Sequence, residues 1–204
     1  MKLVSFWRSI GLAMALLLFA GPAAPASAEQ PRSLARRIDS LRPGEYIWLP
    51  ERSAEGRLEI VINLGRQLAY VYRGGRLIGA STISSGRSGY DSPIGRFQIL
   101  QKRPFHRSNR YSAAPMPFMQ RLNWYGVALH GGDIPGYPAS HGCIRLPMGF
   151  AESLYAVTEL GSFVFVAEEP WPTPRAALRH ARLNAMQPLS ADRSPLATPA
   201  GSAR

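Results

Sequence analysis

The sequence predicts a mostly β fold with a short helix late in its main domain. Three observations support this prediction. Apolar and β-branched residues alternate in short runs from position 58 onward. Segments rich in Gly, Pro and Ser separate these runs. Helical spacing of apolar residues recurs only over short stretches. With 204 residues, the chain is long enough for one domain with a substantial core.

The N-terminus has the pattern of a secretory signal peptide over residues 1–28. Lys2 and Arg8 form a basic start, and residues 10–20 form an apolar run that is short for a membrane span. Ala26-Ser27-Ala28 is a small-residue cleavage site. The alternative is an uncleaved membrane anchor. We expect an exported protein, with the periplasm as its compartment, that meets the membrane only through this signal.

The mature chain is expected to be strongly basic. Cleavage removes two of the 24 basic residues and none of the 13 acidic ones, which leaves a net charge of +9. Such a charge suits an anionic partner such as a cell-wall polymer or a membrane surface. Nucleic acid is disfavoured because no basic run is interleaved with aromatic residues. Charge alone is also consistent with a solvated surface that has no specific partner.

Residues 29–57 are interpreted as an N-terminal lead-in to the main domain. Leu34, Ile38 and Leu41 recur at helical spacing and predict a small amphipathic helix. Pro43-Gly44 is a helix stop signal. Residues 45–56 show no period and are expected to be extended and irregular.

The main domain, residues 58–167, opens with three predicted strands at 58–63, 67–72 and 76–84. Leu58, Ile60 and Ile62 alternate, which predicts that they share one face of the first strand. Turn residues at 64–66 and 73–75 separate the three runs. The sequence therefore predicts an antiparallel meander.

The middle of the domain combines loops with two further strands. Residues 84–95 are rich in Gly, Ser and Pro and predict a loop, followed by a strand at 96–101. Residues 103–123 contain three prolines without a clean period. Such a long segment predicts an ordered loop or flap, which is often functional. Residues 125–130 predict another strand.

The last predicted helix spans residues 147–161. Phe150, Leu154 and Val157 form its apolar stripe, Pro147 suits its first turn and Gly161 suits its C-terminal cap. Residues 162–166 are expected to close the sheet. Residues 168–204 predict a Pro-rich basic tail, largely disordered, with one candidate short helix at 174–186.

The only cysteine of the chain, Cys143, follows two histidines, His130 and His141. In an oxidising compartment a lone thiol is buried, paired to another chain, or kept for chemistry. His141 and Cys143 share a side in extended backbone, because they are two residues apart. The Gly- and Pro-rich loop after His130 is long enough to fold back toward the sulfur. An imidazole that accepts the thiol proton creates a nucleophile, and spacing leaves open which histidine does so.

Neighbouring groups suit acyl-transfer chemistry, although other interpretations compete. Backbone N–H groups near Gly142 and Cys143 suit an oxyanion hole, and Arg145 offers a fork for a substrate carboxylate. The alternatives are a buried structural cysteine, a zinc site built from both histidines and the cysteine, and a purely structural His141. The flanking polar residues argue against an apolar pocket. The missing fourth ligand argues against zinc.

These motifs resemble the L,D-transpeptidase catalytic domain, also called the YkuD domain. "SHGCIRL" at 140–146 with "HGG" at 130–132 resembles the family signature. Residues 62–100 resemble its opening strands, its Ser-Gly loop and its Thr-Pro-x-Gly turn, written here as Ser-Pro-Ile-Gly. Residues 108–122 resemble the flap of one branch. The resemblance spans about residues 45–167 and implies a YkuD-like β-sandwich or barrel whose cysteine lies in a cleft.

The resemblance implies a role for each matched residue and no metal or cofactor. Cys143 would be the nucleophile, and His130 would be the base, oriented by the Gly131 carbonyl. His141 and Gly142 would assist in orientation and oxyanion stabilisation. The substrate-binding residues implied in this way are Arg145, Ser140 and, on the flap, Tyr111 and Met116.

The implied reaction is acyl transfer on peptidoglycan stem peptides. The enzyme would form 3→3 crosslinks, or attach a wall-linked protein, through a cysteine acyl-enzyme. One alternative is a thiol-dependent amidase or L,D-carboxypeptidase, in which water replaces the acceptor amine. Another is a non-catalytic wall-binding protein. The loop between His130 and Ser140 is shorter than in many family members, which leaves the choice of acceptor open.

Overall fold

A computed structural model describes residues 29–184 as two β-sheets with three short helices. The predicted mostly β fold is confirmed. The predicted signal peptide and the disorder expected beyond residue 187 lie outside the described residues. No helix among residues 29–184 combines the length and the apolar character needed to cross a membrane.

The elements follow one another from the lead-in to the tail. In chain order they are α1 (Glu29–Asp39), β1 (Tyr46–Trp48), a 3-10 turn (Pro50–Arg52), β2 (Leu58–Asn63), β3 (Leu68–Arg73), β4 (Arg76–Thr82), β5 (Gly95–Gln98), β6 (Gln101–Arg103), β7 (Met119–Arg121), β8 (Ala128–Gly131), β9 (Ile144–Leu146), α2 (Met148–Val157), β10 (Phe163–Ala167) and α3 (Pro174–Leu183).

The first sheet has six strands in the order β1-β4-β3-β2-β10-β5. Its antiparallel β2-β3-β4 meander confirms the prediction. β10 does not close the sheet at an edge, because it lies between β2 and β5 and runs parallel to β2. Because β10 lies in the interior of the sheet and is covered on both faces, all five of its residues are apolar. Ile60 and Ile62 of β2 pack into the same core, as the alternation predicts, and Val61 is buried on the opposite face.

The outer face of the first sheet is covered by α1 and α3. Leu34 and Ile38 of the predicted amphipathic helix pack there, together with Leu178 of α3. The Arg66–Asp39 and Arg182–Glu59 ion pairs, at 2.7 and 2.6 Å, tie the two helices to the sheet. The helix predicted within the tail is thus present, and it packs onto the domain instead of extending from it.

The second sheet has four strands in the order β6-β7-β8-β9. The strand predicted at 96–101 divides at Ile99 and Leu100 into β5 and β6, which belong to different sheets. The predicted flap ends in β7, so its last residues are strand and not loop. Between the two sheets lies the main core, which Phe150, Ala151 and Leu154 of α2 complete.

Helix α2 ends earlier than predicted. Its last residue is Val157, and Thr158 caps it by donating its backbone N–H to the Leu154 carbonyl. The Thr158 hydroxyl also donates to Oε1 of Gln120, at 2.7 Å. Lys102 Nζ donates to the carbonyls of Tyr155 and Thr158 at the same end. A cation at a helix C-terminus is favourable because the exposed carbonyls carry partial negative charge.

Candidate active site

The register of the second sheet places the predicted site residues on one face. Arg121 pairs with Ala128, and the parallel β8–β9 pairing, continued by one residue, sets Ala128 beside Cys143. His130 pairs with Arg145 in the next row. Because strand side chains alternate between faces, these groups share the face opposite Leu129 and Ile144, which enter the core. The fold thus brings Cys143 and His130 together from positions 13 residues apart.

Cys143 is partly buried on an apolar cavity wall. Its sulfur packs beside Met116, Met119 and Ala128. The thiol donates to the Gly126 carbonyl at an Sγ···O distance of 3.5 Å. Burial raises the pKa of the Cys143 thiol, and a backbone hydrogen bond from Ala128 and nearby arginine charges oppose that rise only in part. The resting sulfur is therefore a protonated thiol.

His130 is buried beside the motif. Its Nδ1 lies 2.9 Å from the carbonyl of Gly131, which is the orienting contact that the resemblance implies. Burial lowers the pKa of His130 to about 4, since a charged imidazole loses hydration there. The imidazole is neutral at neutral pH, with one ring nitrogen able to accept a proton. A neutral thiol and a neutral imidazole form the resting pair, not a thiolate and an imidazolium.

Two buried serines hold the Ser-His-Gly-Cys turn in shape. Ser140 Oγ accepts from the Gly142 N–H at 3.1 Å and donates to the Cys143 carbonyl at 2.5 Å. Ser92 Oγ donates to the Gly142 carbonyl at 3.0 Å and accepts from the Gly86 N–H at 2.9 Å. Gly142 has φ +103°, a conformation that favours glycine. The Gly142 N–H, one of the donors expected for an oxyanion, is thus already engaged by Ser140.

His141 lies between two aromatic rings and not against the sulfur. Tyr111 of the flap stacks on it with ring centroids 4.4 Å apart, and Tyr90 meets it edge-on at 4.7 Å. Arg87 lies over the Tyr90 ring at 4.4 Å. Burial, followed by the charges of Arg87 and Arg145, lowers the pKa of His141. This stack joins the flap to the 85–92 loop above the cysteine.

Two cavities of about 490 and 400 Å³ meet at Cys143. Both are lined by Tyr111 and Met116, the two flap residues expected to bind substrate. The larger cavity also contains Arg121, and the smaller one contains His130, Ser140 and Arg145. The cysteine is therefore accessible from two sides of the flap.

Arg145 contacts the loop that follows His130 and helps to hold it in place. Its Nη2 donates to the Ala139 carbonyl at 3.4 Å, and its methylenes lie against Gly132. The side chain lines the smaller cavity together with Asp133. Its role as a substrate fork stays a prediction. Within residues 29–184, His, Cys, Asp and Glu side chains do not gather in any group of three or more that suits a metal ion.

Sequence analysis missed three contributors to the site. Ser92 entered only as the first residue of the Ser-Pro-Ile-Gly turn, and the signal for its role was the hydroxyl that serine shares with the family's threonine. Gly126, whose carbonyl meets the thiol, lies in a turn that no motif marks. Arg121 belongs to β7, where Met119 and Arg121 share one face of the strand. This period of two was hidden because the segment was interpreted as part of the flap.

Comparisons with known proteins identify the family. The family model described as the L,D-transpeptidase catalytic domain, YkuD, matches residues 57–166, which is more than half of the chain. The chain therefore belongs to this family. A search of curated proteins gave no match.

Solved L,D-transpeptidase structures share the fold. One from Stackebrandtia nassauensis is 25% identical with a TM-score of 0.53, over 66% of this chain and 65% of that one. One from Mycobacterium tuberculosis H37Rv is 22% identical with a TM-score of 0.52, over 54% and 57%. One from Mycobacterium smegmatis is 20% identical with a TM-score of 0.51, over 54% and 58%. The chain thus spans less than two thirds of the length of these structures.

Proposed function

We propose that this protein is a cysteine-dependent L,D-transpeptidase that acts on peptidoglycan stem peptides. Its product would be a 3→3 crosslink, or a wall-linked protein where that protein supplies the amine. The observation that carries the proposal is the shared face of the second sheet. There Cys143 and His130 lie in neighbouring rows, inside a domain of this family; Cys143 lines both cavities and His130 lines the smaller one.

The first half-reaction releases the terminal D-residue of the donor stem. As Sγ of Cys143 attacks the carbonyl of the L-centre, a C–S bond forms and the thiol proton passes to His130. The oxyanion is stabilised by the Cys143 N–H. The C–N bond then breaks, and the leaving amine takes the proton back from His130. The product is a thioester between Cys143 and the shortened stem.

The second half-reaction transfers the acyl group to an amine. The acceptor nitrogen attacks the thioester carbonyl while His130 accepts its proton. The C–S bond breaks, and the sulfur regains a proton from the imidazole. Two cavities that share one cysteine suit a reaction with two peptide substrates, because donor and acceptor then reach the same carbonyl from different sides.

The proposal includes export to the periplasm, where the wall polymer is found. Its support is the signal-peptide pattern of residues 1–28 and the net charge of +9 that remains after cleavage. A basic surface attracts an anionic polymer over distances near the Debye length.

Intact-mass measurement after treatment with a carbapenem tests the nucleophile. We expect one covalent adduct on the mature protein and none on Cys143→Ala. His130→Gln should acylate at least about 100-fold more slowly, because general-base catalysis typically contributes that much. An adduct of equal extent on Cys143→Ala would contradict the assignment of the nucleophile.

Incubation with purified disaccharide-tetrapeptides tests the reaction itself. Crosslinked dimers, resolved by liquid chromatography and mass spectrometry, are the expected product. Trimmed monomers without dimers would show that water is the acceptor, as in a carboxypeptidase. Unchanged substrate together with no carbapenem adduct would favour a non-catalytic wall-binding protein.

A further inference from the structure

Arg121 lines the larger cavity beside Cys143, and the reaction described above gives it no role. Gln101, Arg121 and Ala128 follow one another across the second sheet, and Cys143 continues this row. Two strand spacings separate the backbones of Arg121 and Cys143, which is roughly 10 Å. The Arg121 side chain and Cys143 line the same cavity. The Arg121 charge is also among those that lower the pKa of the Cys143 thiol, so it acts at the distance of the sulfur.

The Arg121 guanidinium is held in position without being neutralised. Its Nε donates to Oε1 of Gln101 at 2.9 Å, and its Cζ lies 5.9 Å from the ring centre of Trp124. Both contacts leave the charge in place. The ion pairs found among residues 29–184 join other arginines to carboxylates: Arg42–Glu45, Arg66–Asp39 and Arg182–Glu59. A half-buried, pre-oriented guanidinium is suited to two parallel hydrogen bonds with a carboxylate.

The other charged residues of the larger cavity do not replace Arg121. Arg110 Nη1 donates to the Tyr125 carbonyl at 2.6 Å and so ties the flap to the β7–β8 turn. Asp91 is an exposed carboxylate on the rim. Arg145 belongs to the smaller cavity, where it contacts the Ala139 carbonyl. Arg121 is therefore the guanidinium in the larger cavity that suits an anionic group of a bound ligand.

We propose that Arg121 binds the terminal carboxylate of the donor stem, on the D-residue that leaves when the thioester forms. This inference rests on the proposed function. In such a donor only the amide nitrogen and one Cα separate the attacked carbonyl from that carboxylate. The carboxylate therefore lies one residue beyond the carbonyl that Sγ attacks, near the cavity that Cys143 and Arg121 both line. The enzyme accepts stems that end one D-residue after the L-centre, and it discriminates against stems whose terminal carboxylate is masked.

The first test changes the ligand and not the protein. A synthetic donor tetrapeptide with a free terminal carboxylate is compared with the same peptide as its terminal amide. We expect kcat/KM of the wild-type enzyme to be about 10- to 100-fold higher for the free acid, the usual effect of a hydrogen bond to a charged group. Equal values for the two peptides would overturn the inference without requiring any variant.

The second test uses Arg121→Gln and Arg121→Lys. We expect Arg121→Gln to lose activity toward the free acid and to leave the amide unaffected, so that discrimination collapses. Arg121→Lys keeps the charge without the fork and should retain part of the discrimination. Arg175→Gln, an exposed arginine on α3, removes the same charge and should change nothing. An equal loss toward both peptides in Arg121→Gln would show a merely structural role.

Binding measurements separate this inference from the proposed reaction. In Cys143→Ala, dissociation constants for the two peptides are measured by calorimetry with and without Arg121→Gln. If Cys143→Ala binds the free acid more tightly than the amide, and Arg121→Gln removes this preference, the carboxylate site is supported. That conclusion holds even if the wild-type enzyme turns over neither peptide and the proposed reaction fails. Equal affinity for both peptides, including no measurable affinity for either, overturns it.

Discussion

At the residue scale, burial decides the protonation states of Cys143 and His130, the pair proposed to be catalytic. Burial favours the uncharged form of each group, which raises the pKa of Cys143 and lowers that of His130. Formation of an ion pair in the free protein would place a thiolate against the apolar wall of Met116 and Met119 and a charged imidazole at the buried position of His130. In the proposed mechanism, proton transfer is therefore coupled to attack on the substrate carbonyl, whose oxyanion then carries the negative charge.

The shifted pKa of His130 makes the stability of the protein depend on pH. The unfolded imidazole takes up a proton near pH 6.5, whereas the folded one does so only near pH 4. Between these values the unfolded state binds more protons, so the free energy of unfolding falls as the pH falls. From pH 7 to pH 5 we expect a loss of about 2 kcal/mol from this residue.

His130→Gln is the matched variant for this prediction. Urea denaturation of wild type and variant at pH 7 and pH 5 gives the difference directly, because both proteins share all other titrating groups. The variant should lose about 2 kcal/mol less than wild type over this range. The same loss in both proteins would mean that the folded imidazole titrates as it does in the unfolded chain.

At the element scale, hydrogen bonds between loops hold Cys143, the proposed nucleophile, in position. The turn that carries Cys143 is not part of a strand, and its shape depends on Ser140 from within and Ser92 from the neighbouring loop. The His141–Tyr111 stack connects the same turn to the flap. Three irregular segments thus define the cleft, while the sheet beneath them supplies His130 and Arg121.

Ser92→Ala should weaken this arrangement. It removes one hydroxyl that serves both the Gly86 N–H and the Gly142 carbonyl, so the protein should lose about 1–3 kcal/mol of stability. The rate of carbapenem acylation should fall about tenfold, because a small displacement of the nucleophile is costly. Thermal unfolding and stopped-flow fluorescence measure the two effects.

Two variants in the same loop serve as controls. Ser92→Thr keeps the hydroxyl and should remain close to wild type in acylation rate. Ser88→Ala removes an exposed hydroxyl and should alter neither quantity. An unchanged acylation rate in Ser92→Ala would show that the turn keeps its shape without this bridge.

At the scale of the whole molecule, the segments on both sides of the family domain are part of one folded body. The buried side chain of Trp171 and that of Leu178 cover the outer face of the first sheet. Tyr72 Oη donates to the Pro174 carbonyl at 2.5 Å. The family match ends at residue 166, yet the packing continues to α3.

Truncation after Glu168 should therefore destabilise the domain. It exposes the apolar face that Trp171 and Leu178 cover, a loss of about 5 kcal/mol. For a domain of this size the melting temperature should fall by roughly 10 °C or more. Truncation after Asn184 keeps every described contact and should leave the melting temperature within about 2 °C of the full chain. Equal melting temperatures for the two truncations would show that α3 contributes no stability.

The sequence was sufficient to predict the local elements but not their partners. Short-range patterns predicted the meander, α1 and α2. The family motif predicted that Cys143 and His130 come close together, and both line the smaller cavity. The position of β10 and the division at Ile99 depend on contacts between segments far apart in the chain, which periodicity does not encode. Arg121 was missed for the same reason, since its importance arises from register across three strands.

The parallel pairing of β10 with β2 has a consequence for biogenesis. These strands, Leu58–Asn63 and Phe163–Ala167, lie about a hundred residues apart, so the six-stranded sheet stays in two pieces until the last strand has been synthesised. Non-local pairing of this kind slows folding. If the protein is exported as proposed above, late closure of this sheet keeps the fold incomplete for longer before the chain crosses the membrane.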